Sequence, residues 1–130
     1  MKDLNTKISV AAAISMAIAI VLGAFGAHGL EKLVDTDSLN TFEVGVRYHI
    51  YHSLAMLVVG MSQRVRYRLK KRTFILWFVG VLLFSGSLYL LAVDDALGAD
   101  LGFLGPVTPI GGTILILGWI FLAIGLWKNK

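Results

Sequence analysis

Three histidines are the residues of this chain best suited to chemistry. His28 lies in Gly23-Ala24-Phe25-Gly26-Ala27-His28-Gly29-Leu30, and His49 and His52 lie in Arg47-Tyr48-His49-Ile50-Tyr51-His52-Ser53. Imidazole ligates metals and relays protons near neutral pH. On a helix, residues three and four apart share a face. Gly45, His49, His52 and Met56 then align, Tyr48 stacks above His52, and Glu43 and Arg47 are spaced as an i,i+4 pair. His28, His49 and His52, joined by Glu31 or Glu43, could hold zinc, copper or a haem edge. With Arg47, Tyr48 and Tyr51 they could instead form a site for a lipid, a quinone or another small hydrophobic solute. The plainer expectation is a structural network that hydrogen-bonds across helices and fixes their register. An i,i+3 histidine pair is a weak metal signal, and no H-E-x-x-H, G-x-S-x-G, Walker A or dinucleotide fingerprint occurs. The chain has no cysteine, which excludes disulfides, thiolate nucleophiles and zinc-thiolate or thiolate-ligated iron–sulfur sites. Asp94, Asp95 and Asp100 could bind a divalent cation, but a solvated outer loop is the expected reading. No cofactor is expected.

The elements that must position these groups are membrane spans. Of 130 residues, 57% are hydrophobic and 15% charged, against about 25% charged in a soluble domain. A spanning helix needs about 20 mostly apolar residues. Ile8–Ala27, Thr73–Val93 and Val107–Trp127 each supply such a run without a charge. Tyr48–Ser62 is shorter and contains His49 and His52. A helix capped by Ser38 or Asp37 would bring it to length. The expectation is an all-α integral membrane four-helix bundle in one domain, 1–130, with spans at about 8–28, 39–63, 73–93 and 107–127. Three spans and an interfacial helix is the alternative. Lys2, Lys7 and the Ala24-Phe25-Gly26 stretch resemble a signal peptide, but the apolar run exceeds the usual core of such a peptide. An uncleaved helix is expected.

Charge placement decides between the models. Arg64, Arg66, Arg68, Lys70, Lys71 and Arg72 supply six of the twelve basic residues within one short segment. With four spans they fall on the same side as Lys2, Lys7, Lys128 and Lys130. Lys32 and Arg47 fall opposite, with Glu31, Asp35, Asp37, Glu43, Asp94, Asp95 and Asp100. Cytoplasmic loops are enriched in Lys and Arg, so both termini are expected in the cytoplasm. Three spans would spoil this separation. The net charge of +4 thus reflects topology, and nucleic acid is excluded as a partner. The Arg64–Arg72 cluster is expected to touch anionic lipid head groups.

Small residues should hold the helices together, because close approach drives helix association in lipid. Ala11, Ser15, Ala19, Gly23 and Ala27 recur every four residues, and Gly111, Gly118 and Gly125 every seven. Packing within the molecule is expected, with a homo-oligomer face or a pore as alternatives. Pro106 and Pro109 suit the first turn of a helix; a re-entrant segment is the alternative there.

Gly23–Leu30, Thr41–Ala55, Phe84-Ser85-Gly86-Ser87-Leu88-Tyr89, Gly105–Gly112 and Gly118-Trp119 resemble a family of small bacterial inner-membrane proteins of the YgdD/YwdK type, a domain of unknown function with a eukaryotic transmembrane counterpart. The resemblance covers nearly the whole chain. It implies a four-helix protein of the bacterial inner (plasma) membrane and no established activity or cofactor. It directs attention to Gly26, His28, Gly29, Arg47, Tyr48, Tyr51, His52, Ser85, Gly86, Pro106, Pro109 and Gly111. The functional expectation is a non-enzymatic accessory, assembly or structural component. Its partners would be membrane lipids and a membrane-protein complex partner or a second copy. A binding or transport module at the polar cluster near the outer face is the first alternative, and a metal- or haem-dependent membrane enzyme the second.

Overall fold

Four helices form the chain: α1 (Lys2–His28), α2 (Thr36–Met61), α3 (Tyr67–Leu97) and α4 (Val107–Trp127), with 3-10 turns at Leu30–Lys32 and Gly102–Leu104. The computed structural model describes residues 2–128, and no strand occurs among them. The side chain of Lys2 and all of Lys130, counted above among the basic residues, lie outside the described residues.

α4 coincides with its expected span, and its plain start at Val107 leaves no re-entrant segment at Pro106 and Pro109. α3 is longer than expected by six residues at its start and four at its end. Charge ends a membrane span but not a helix, and Arg and Lys are good helix formers. Asp94 and Asp95 therefore occupy the last turn of α3 and not a loop after it. Gly98 then ends the helix with φ of 62°, its N–H donating to Asp95 O while Ala99 N–H donates to Asp94 O. The cap of α2 is Asp35, and neither Ser38 nor Asp37: the Ser38 N–H donates to Asp35 Oδ1 at 2.8 Å. That bond holds the Asp35 carboxyl below the usual carboxylate range.

α1, α3 and α4 are each long and apolar enough to cross a membrane. α2 is of similar length but more polar: Asp37, Asn40, Glu43 and Arg47 are exposed on its first half, while its histidines are turned inward. Gly45, His49, His52, Ser53 and Gly60 are buried, while Tyr51, Leu54, Val58 and Met61 are exposed along its second half. Consecutive helices run antiparallel. The end of α2 meets the start of α1 where Gly60 faces Ile8 and Ser9; Gly45 faces Tyr89, and Gly80 faces Leu115. The extensive helix contacts follow chain order, α1 on α2, α2 on α3 and α3 on α4. α2 and α3 thus form the centre, with α1 and α4 on their flanks.

The seven-residue glycine repeat is the seam between α3 and α4. A Cβ at Gly111 would collide with the Phe84 backbone nitrogen, one at Gly125 with the Leu69 side chain, and one at Gly118 would stand 2.6 Å from the Trp77 ring. The stripe expected on α1 is only partly right. A four-residue step overshoots a helical turn by about 40°, so the stripe winds off the contact face. The buried line runs Ile8, Ala12, Ser15, Ala19 and Gly26, and Ala27 is exposed.

Gly111→Ala should destabilise the protein by about 1–3 kcal/mol, since α3 backbone must move to admit the methyl group. Gly86→Ala should be neutral or stabilising, because nothing lies within 4 Å of its Cβ position. Thermal unfolding in detergent compares the two.

Candidate functional site

The site begins with α2, which presents two imidazoles to its neighbours. His49 Nε2 is 3.0 Å from Ser15 Oγ on α1, and His49 Nδ1 is 3.0 Å from the Tyr89 hydroxyl on α3. Ser15 Oγ is also 2.7 Å from Ser53 Oγ. One turn further along, His52 Nδ1 lies 2.8 Å from Tyr48 O, and Trp119 Nε1 on α4 lies 3.0 Å from His52 Nε2. A carbonyl only accepts and an indole N–H only donates. His52 is therefore neutral, with its proton on Nδ1. Its ring meets Trp77 and Trp119 edge-on, each at 6.0 Å between centroids, and Tyr48 stacks on it at an interplanar angle of 17°. Ser85 Oγ adds a bond to Gly45 O at 2.7 Å.

The two histidines of α2 thus reach all three other helices. They lie midway along the bundle, which corrects the expectation of a cluster near the outer face. α2 starts at Thr36, which places His49 thirteen residues in, opposite Ser15 in the middle of α1. His28 does not join them: it stands exposed in the last turn of α1. Glu43 and Arg47 are exposed too, and line a cleft of about 260 Å³ with Gly26, Phe42 and Ile50. The ion pair formed between described residues is Lys7–Asp3, at 2.8 Å, and not Glu43–Arg47. Tyr48 and Tyr51 meet edge-on at 6.0 Å and face outward. Among the described residues no group of three or more His, Asp or Glu is placed to hold a metal ion. A groove of about 480 Å³ lies between α1 and α3, with His49 at its floor and Ser15, Ser85, Gly86 and Tyr89 along it.

Lys70 departs furthest from its expected role. It is 2% exposed, and its ammonium donates to Asn5 Oδ1 at 2.6 Å, Ser62 O at 2.7 Å and Gly60 O at 3.1 Å. All three donors are engaged, and the charge sits at the carboxyl end of α2, where the helix dipole favours a cation. Lys70 is therefore not available to lipid head groups. Arg64, Arg66, Arg68, Lys71 and Arg72 are exposed.

Sequence reasoning missed Tyr89, Trp119, Asn5 and the role of Lys70. Tyr89 carried a usable signal: it stands four residues from Ser85, giving one polar stripe inside an apolar span, and such groups face protein or a cavity. Lys70 shares its helical phase with Thr73 and Trp77, both fully buried.

An all-helical chain with three helices apolar enough to span a bilayer, and polar groups bonded between helices, is an integral membrane protein. Residues 22–112 match the family described as "Protein of unknown function (DUF423)". The chain is 37% identical over 118 residues to the "UPF0382 membrane protein" of Haemophilus influenzae, covering 91% of each chain. It is 39% identical to the "UPF0382 membrane protein YwdK" of Bacillus subtilis, covering 89% of this chain and 92% of the relative. It is 35% identical to the "UPF0382 inner membrane protein YgdD" of Escherichia coli, covering 92% of this chain and 88% of the relative. The chain belongs to this family of membrane proteins, whose function is unknown. No solved structure matches it.

Lys70→Met should lower stability by about 1.5–3 kcal/mol, because it strands buried carbonyls and removes charge-assisted bonds. Lys71→Met, at an exposed site, should stay within about 0.5 kcal/mol. Thermal unfolding of both variants in one detergent checks the pair.

Proposed function

We propose that the chain is a non-enzymatic component of the bacterial inner (plasma) membrane. It crosses the bilayer four times with both termini in the cytoplasm, and serves as an accessory, assembly or structural partner to other membrane proteins or to a second copy. One observation carries this reading: the two buried histidines, His49 and His52, are engaged between helices. Both ring nitrogens of His49 and of His52 have partners, and three of those four bonds join different helices. Engaged nitrogens offer no free lone pair to a metal or substrate.

Four spans are supported by α2 packing along both α1 and α3, and by the apolar residues Tyr51, Leu54, Val58 and Met61 exposed along its second half. The basic residues Arg64, Arg66, Arg68, Lys71 and Arg72 then lie at the cytoplasmic surface, where each attraction to anionic head groups is worth about 1 kcal/mol. The acids at the opposite end of the bundle, among them Asp35, Asp37, Asp94 and Asp95, then lie outside.

The absence of cysteine permits single-cysteine mapping. With a membrane-impermeant maleimide on intact cells, cysteines at Asp37 and Asp95 should label, and those at Asp3, Arg66 and Lys128 only after lysis. Labelling of Arg66 from outside overturns the topology. A tagged copy purified in mild detergent should carry a stoichiometric partner or itself. A bare monomer would remove the accessory role.

A further inference from the structure

We infer that the groove between α1 and α3 binds a lipid-soluble quinone, with a ring carbonyl accepting a hydrogen bond from the Tyr89 or Ser15 hydroxyl and the hydrocarbon tail lying along the apolar walls. This site is independent of the partner role proposed above. Its volume of about 480 Å³ falls within the range of small-molecule sites. Its walls are the side chains of Ile14, Ile18, Phe78 and Leu82, and no charged residue lines it.

Gly86 marks the groove as space that helix packing does not require. Gly45, Gly60, Gly80, Gly111, Gly118 and Gly125 all meet a neighbouring helix closely, but a Cβ at Gly86 would meet nothing within 4 Å. A glycine inside a helix is less favourable than alanine by about 1 kcal/mol, and here no helix contact compensates for it.

Proton counting gives the groove its polarity. Tyr89, neutral His49, Ser15 and Ser53 hold one donor each, and three links join them in a chain. Each link uses one donor, so one remains over. His49 must donate through one nitrogen and accept through the other, so the spare hydrogen belongs to Tyr89, Ser15 or Ser53. Ser53 is fully buried, with Ser15 as its partner. Tyr89 and Ser15 both line the groove. In two of the three possible arrangements the spare O–H therefore belongs to a residue that lines the groove, where it can donate to an acceptor.

Depth selects the acceptor. Ser15 lies close to the middle of the apolar run Ile8–Ala27, about 4 Å from its centre at about 1.5 Å per residue. Phospholipid ester carbonyls lie near the edge of a hydrocarbon core about 30 Å thick, too far to reach Ser15. A carbonyl at mid-depth must belong to a molecule whose head is itself neutral and hydrocarbon-soluble. A quinone meets this condition, accepts without donating, and has a flat ring that suits the aromatic faces of Phe78 and Tyr89.

The test uses purified protein in detergent with decylubiquinone as probe and decylbenzene, which has the tail but no carbonyl, as control. The expected result is saturable one-to-one binding of the quinone, at least tenfold weaker after Gly86→Leu with thermal stability unchanged. Leu82→Trp fills the groove independently should Gly86→Leu unfold. Tyr89→Phe should weaken quinone binding about 2–10-fold and leave decylbenzene unaffected. Absence of saturable binding, or binding indifferent to both groove-filling variants, overturns the site. Equal affinity for the two probes overturns the carbonyl assignment. A stoichiometric phospholipid that the quinone does not displace overturns the choice of ligand.

Discussion

Hydrogen-bond satisfaction of two imidazoles governs the arrangement of the helices. Lipid supplies no water to a polar group inside a span, so each must find its partner in protein. α2 presents both rings on one side, and their nitrogens find Ser15 on α1, Tyr89 on α3 and Trp119 on α4. That requirement places α2 at the centre. It also explains the glycine seam: Trp119 reaches His52 only if α4 lies tightly on α3, and Gly111, Gly118 and Gly125 permit that approach. The histidines and glycines, which looked like separate features of the sequence, solve one packing problem.

The helices were legible because length and hydropathy suffice to find long apolar segments, and the bounds of α4 are those of its apolar run. Ends were less legible, because a helix continues for another one or two turns past its apolar run. That is why Arg68 to Arg72 and Asp94 proved helical. The histidine site was half legible. Spacing put Gly45, His49, His52 and Met56 on one face, and all four are buried there. Their depth and partners were not legible, since a pattern within one segment carries no register against another. His28 looked like a companion on residue type alone, and its exposure at the end of α1 separates it from the network. Lys70 was hidden by its neighbours, because six basic residues within nine positions read as one solvated cluster.

The flanks of the bundle differ in what fills them. Between α3 and α4, backbone and rings occupy the space that each glycine vacates. Between α1 and α3, the two helices share α2 as a floor and stay apart, so the space above Gly86 remains open. The same small residue closes one interface and keeps the other open, according to whether a neighbouring helix approaches.

Lys70 joins parts of the chain that are made at different times. Its ammonium ties Asn5, in the first turn of α1, to the Gly60 and Ser62 carbonyls at the end of α2, yet it lies eight residues beyond Ser62. The first helical hairpin therefore emerges from the ribosome before the residue that fastens it. Until α3 begins to enter the bilayer, the amino-terminal turn of α1 and the carboxyl end of α2 have only each other and water. The chain thus closes its first hairpin with a part of its second, and the order of synthesis becomes an order of locking.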